Sequence, residues 1–81
     1  MQKDYETALE LLQAAADQGM AEAMFEVGRC YENGKGVEQD YEKAVEYYRI
    51  AADMGIQEAE DALKKLVKEG KIEEIPDTHN E

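Results

Sequence analysis

The sequence predicts an all-α protein made of stacked helical hairpins. Three observations predict it. The chain repeats itself: DYETALELLQAAADQGMAEA, residues 4–23, lies without a gap over DYEKAVEYYRIAADMGIQEA, residues 40–59, a shift of 36 residues. Identical pairs include Asp4/Asp40, Tyr5/Tyr41, Ala8/Ala44, Ala15/Ala51, Gly19/Gly55 and Ala23/Ala59, and self-similarity at a fixed period marks repeat architectures. Apolar residues in each copy recur at steps of three and four, the helical spacing. Val, Ile and Thr are too few and scattered to build a sheet.

Each element can be justified in order. The first helix is expected at 4–18, opened by Asp4 and stopped by Gly19. A second, of a different kind, is expected at 21–33, with Met24, Val27, Gly28 and Tyr31 on one face. Gly34-Lys35-Gly36-Val37 then forms a loop, because two glycines so close break a helix. The third helix, 40–54, carries Tyr41, Ala44, Val45, Tyr48, Ala51 and Ala52 on its apolar face. Asp40 can accept from the free amides of its first turn, and Gly55 can take the left-handed conformation that ends it. The fourth helix, 57–69, has Ala59, Ala62, Leu63, Leu66 and Val67, and Gly70 stops it. The helices at 4–18 and 40–54 are termed B, those at 21–33 and 57–69 A, giving B-A-B-A order. The repeat domain spans 1–70; residues 71–81 form a polar tail containing Pro76.

These residues resemble the Sel-one-like repeat family, a branch of the tetratricopeptide superfamily. Its pattern is met by Ala23, Val27, Gly28, Tyr31, Gly34, Gly36, Val37, Asp40, Lys43, Ala44, Tyr47, Tyr48, Ala51, Ala52 and Gly55. Only Val27 departs, where the family prefers Leu. The resemblance implies a short right-handed α-α superhelix, a tetratricopeptide-like solenoid. It also implies an adaptor or scaffold function, with protein binding and no chemistry of its own. Physics explains much of the pattern: Gly28 and the facing Ala44 and Ala51 let two helices approach closely, and Tyr31 and Tyr48 fill the space between. The last copy departs from it. Lys64 stands where Gly28 stood and Val67 where Tyr31 stood, as suits an outer face that meets water.

Composition narrows function further. With 9 basic and 20 acidic residues the net charge is −11. Nucleic acid and anionic membranes need Lys/Arg clusters, so neither is an expected partner. No run approaches the roughly 20 apolar residues that span a bilayer, and no signal peptide is visible. A cytoplasmic location is the expectation, and a single cysteine, Cys30, fits a reducing compartment. Cys30 reads as a partly buried small hydrophobe, its repeat equivalent being Leu66. His79 reads as a solvated tail residue. Gly34-Lys35-Gly36 lacks the spacing and the preceding strand of a phosphate-binding loop. Carboxylate pairs such as Glu73/Glu74 are not confined to a cleft, as acid–base catalysis requires. No catalytic residue, metal site or cofactor is expected, and the chain is read as a non-enzyme.

Two surfaces are candidates for a protein or peptide partner. On the A helices, the stripe opposite the core carries Glu22, Phe25, Glu26, Arg29 and Glu32, with Asp61 and Lys65 one repeat later. There Phe25 anchors a ligand while Arg29 and Lys65 pair with its carboxylates; the competing reading packs Phe25 against the first helix. The other surface is the N-terminal edge. The first helix has an apolar stripe covering about 160°, yet only one neighbour within the chain. The side near Ala8, Leu11 and Ala15 should stay open to an upstream repeat, a partner protein or a second copy forming a homodimer. The alternative to an adaptor is an inert engineered or excised repeat fragment with a structural role only.

Overall fold

The computed structural model of the chain describes residues 2–72, with side chains from Asp4 onward. Residues 73–81 of the polar tail, with Glu73/Glu74 and His79, lie outside them. Among the described residues the elements are α1 (Gln2–Asp17), α2 (Ala21–Asn33), α3 (Tyr41–Asp53) and α4 (Gln57–Lys68), with no strand. α2 packs on both α1 and α3, and α3 on α4. The order is therefore the expected B-A-B-A stack of helices.

The helix ends follow local chemistry. Asp40 caps α3, its carboxylate accepting from the Lys43 amide at 3.2 Å. The first helix differs from expectation. It begins at Gln2, so Asp4 sits inside the first turn rather than at the cap, where its charge still complements the helix dipole. Three helices stop by one device. In α1 the Gly19 amide donates to Ala16 and the Met20 amide to Ala15. The same pair of bonds runs from Gly55 and Ile56 to Ala52 and Ala51, and from Gly70 and Lys71 to Val67 and Leu66. The glycines have φ of 88°, 101° and 78°, so each satisfies the orphan carbonyls of its helix through a left-handed residue.

Two small clusters form the core. Leu9, Ala16, Ala23 and Val27 join α1 to α2. Ala44, Val45, Tyr48, Ala51, Ala59, Leu63 and Leu66 join α3 to α4. Met24 and Tyr31 of α2 touch both, so α2 is the shared wall. Tyr31 stacks on Tyr47, ring centroids 5.9 Å apart. Tyr47, at the margin of its helical stripe, is thereby drawn into the first cluster. Cys30 also packs there, and burial pushes its thiol pKa up, as befits a packing residue rather than a nucleophile.

Gly28 sets how closely α2 and α3 approach. A Cβ built there would lie 2.8 Å from the Tyr48 ring and 3.3 Å from the Ala44 carbonyl oxygen. Gly36 does the same for the loop: a Cβ would lie 2.6 Å from the Tyr5 carbonyl oxygen. The loop thus lies against the backbone of α1, with Lys35 Nζ 5.3 Å from the Tyr5 ring centroid. One repeat later Lys71 sits 5.5 Å from the Tyr41 ring centroid. The Tyr41 hydroxyl beside it holds the Lys71 ammonium pKa above its ordinary value.

Candidate functional site

On the α2 face the geometry centres on Tyr48. Its side chain is fully buried, and its hydroxyl donates to Glu32 Oε1 at 2.5 Å. Burial, and then this hydrogen bond, push the Tyr48 pKa well above the usual phenol value. The second oxygen of Glu32 lies 3.9 Å from Lys65 Nζ. Glu32 was expected on the outward stripe; the structure instead turns it toward α3 and α4, as acceptor for a hydroxyl that burial would otherwise leave unpaired.

Phe25 is likewise turned inward. It is partly buried against the α3–α4 cluster, its ring centroid 5.6 Å from that of Tyr48. The competing expectation placed Phe25 against the first helix. Its described packing is on α3, because Gly28 lets the Tyr48 ring come up beside it. Arg29 covers the other side of Phe25, its guanidinium carbon 5.8 Å from the ring centroid, and pairs with Glu26 at 3.6 Å. The Arg29 and Lys65 side chains remain 55% and 59% exposed. Phe25, Glu26, Arg29, Glu32 and Lys65 thus come together along the α2–α3–α4 seam, with two cations facing solvent. Glu22 is exposed at the start of α2, and Asp61 is exposed and accepts from the Gln57 amide at 3.3 Å.

At the N-terminal edge, Ala8 is exposed and Leu11 is 69% exposed. Ala15 is partly buried against the first cluster, as is Leu12. Their repeat equivalents one turn of the stack later are Ala44, Tyr47, Ala51 and Tyr48; of these Ala44, Ala51 and Tyr48 are wholly buried. The sequence reading missed the apolar side chains at the α3–α4 corner, Ile50 and Met54, which are exposed. Their spacing of four residues across the C-terminal end of α3 was the available signal.

Among the described residues no three His, Cys, Asp or Glu side chains are placed to hold a metal. No helix among them is long and apolar enough to cross a membrane.

Comparison with known proteins fits this architecture. The family model described as Sel1 repeat matches residues 1–20 and 21–56, the second match running from the start of α2 through the glycine that ends α3. No curated protein sequence matches significantly. Among solved structures, a Sel1 repeat protein from Oxalobacter formigenes is similar, with a TM-score of 0.75 and 38% sequence identity over 80% of this chain. The match spans 27% of that longer chain. Sel1 repeats are generally protein-interaction modules. With the four-helix stack, the repeated glycines and the family match, this chain belongs to the Sel1 repeat family.

Proposed function

We propose that the chain is an adaptor or scaffold module that binds a protein or peptide and carries out no catalysis itself. The observation that carries this reading is the exposed apolar edge of α1: Leu11 lies open where the equivalent residues of the second copy are packed. Contiguous exposed apolar surface on a small acidic domain is a docking feature. The α2 seam offers a second surface. There Arg29 and Lys65 face solvent beside Phe25, and Arg suits a carboxylate through its paired donors. Phe25 would contribute as the platform beneath Arg29, since its ring already packs on Tyr48. Ala8, Leu11 and Ala15 form the first surface; Glu22, Phe25, Glu26, Arg29, Glu32, Asp61 and Lys65 frame the second. The partner is a protein or peptide, with neither nucleic acid nor membrane favoured by the −11 charge.

The test is affinity capture with the native chain, Leu11→Glu and Arg29→Glu in parallel. A protein enriched by the native chain and lost with one variant supports the reading and names the surface. A well-folded native chain that enriches nothing its variants do not would favour the inert-fragment alternative.

A further inference from the structure

We infer that the acidic segment at residues 73–77 pairs with the cations of the α2 seam, giving the chain an internal competitor for a partner's carboxylates. This rests on the seam reading above and adds its regulation. The charge pattern comes first. Residues 64–71 hold four of the chain's nine basic side chains, Lys64, Lys65, Lys68 and Lys71, and one acid, Glu69. Glu73, Glu74 and Asp77 follow directly, and residues 72–81 contain no Lys or Arg. A block of one sign thus runs straight into a block of the other. Lys65 and Lys68 complement the dipole in the last turn of α4. Lys64 lies before that turn, and all three are exposed. Among the described residues Lys64 and Lys68 make no ion pair.

The fold brings the start of this segment to the seam. Ile72 packs against the α3–α4 cluster. Lys71 beside it sits on the Tyr41 ring, and after Tyr41 the carboxylates of Glu69 and Glu32 hold its ammonium pKa up. Lys71 therefore stands near the same Glu32 whose carboxylate lies 3.9 Å from Lys65 Nζ. Arg29 is one helical turn from Glu32 along α2, about 5 Å. Five extended residues span roughly 17 Å, so Glu73, Glu74 and Asp77 reach both exposed cations, Arg29 and Lys65. Exposed ion pairs are individually weak. A segment joined directly to its site, however, meets it at an effective concentration on the order of millimolar. Weak pairing then suffices to compete with a carboxylate arriving from solution.

The experiment compares the labelled full chain with its E73Q/E74Q/D77N form by NMR. The reporter is the Arg29 Nε–H signal, remote from the segment in sequence. Neutralising the three acids should shift that signal and the Lys65 amide. The native chain should move toward the same positions in about 1 M salt, where screening acts within about 3 Å. An unlabelled peptide of residues 72–81 is then titrated into both forms. It should bind the neutralised form at least about threefold more tightly than the native chain. R29Q in both should remove that advantage, which a difference in net charge alone would leave in place. An Arg29 signal unmoved by E73Q/E74Q/D77N, equal peptide binding by the two forms, or an advantage that survives R29Q would overturn the inference. Arg29 shifts in the native chain that grow with protein concentration would also overturn it, since the acids then come from a second copy. These outcomes leave the adaptor reading standing, because affinity capture tests that reading separately. An empty capture, in turn, leaves the Arg29 shifts as they are.

Discussion

The two A helices present different chemistry on the side facing away from the preceding helix. On α2 that side carries Met24, Phe25, Gly28 and Glu32, and α3 packs on it. On α4 the same positions hold Glu60, Asp61, Lys64 and Lys68, all exposed. The B helices differ in the opposite sense. α3 is sandwiched between α2 and α4, whereas among the described helices α1 packs chiefly on α2 and keeps apolar residues on its other side. One repeat pattern thus yields a solvated edge and an apolar edge. The difference lies largely in a handful of side chains, since the stopping glycines Gly19 and Gly55 and the helix order are the same in both copies.

The largest effect should come from Gly28→Leu, set against Lys64→Leu at the equivalent place. The first drives a branched side chain into Tyr48 and should destabilise by about 3 kcal/mol, at the upper end for overpacking. The second should stay within about 0.5 kcal/mol, as surface changes do. Urea midpoints for the pair measure the contrast. Next comes Phe25→Ala, against Asp61→Ala. Buried Phe→Ala changes cost about 3–5 kcal/mol, and the partly covered Phe25 should lose about 2, with little change for Asp61→Ala.

Tyr48→Phe should lose about 1 kcal/mol at neutral pH, the net worth of a hydrogen bond. Its pH dependence has a definite sign. Burial and Glu32 raise the Tyr48 pKa in the folded state above its unfolded value, near 10. The neutral phenol therefore contributes its full stability below about pH 10, and the contribution declines as pH rises toward the folded value. Above about pH 10 stability should fall less steeply in Tyr48→Phe, by up to about 1.4 kcal/mol per pH unit. Thermal melts from pH 7 to 11 test this. The smallest effect is expected for Leu11→Ser, within about 0.5 kcal/mol, while Tyr47→Ser at the equivalent position loses its stack with Tyr31 and should cost clearly more.

Much of this was legible in the sequence because the repeat states each feature twice. The helix order, the turn glycines, the Asp40 cap and the close approach at Gly28 all follow from spacing and residue type. Phe25 and Glu32 were harder. By helical spacing both fall on a polar stripe, and their inward turn depends on the Tyr48 ring and hydroxyl arriving from another helix. The Lys35–Tyr5 and Lys71–Tyr41 pairs were hidden for the same reason, being set by where the loop meets the preceding B helix. Asp4 misled because its identity with Asp40 suggested a shared cap, while α1 extends one turn further toward the N-terminus.

The most direct test of the contrast between the two B helices is hydroxyl-radical footprinting of the native chain, each residue normalised to its rate in the unfolded chain. Leu11 should react at close to its unfolded rate, while Tyr48 is strongly protected and Tyr47 intermediate. Leu11 protected as fully as Tyr48, at low protein concentration, would contradict an open edge on α1.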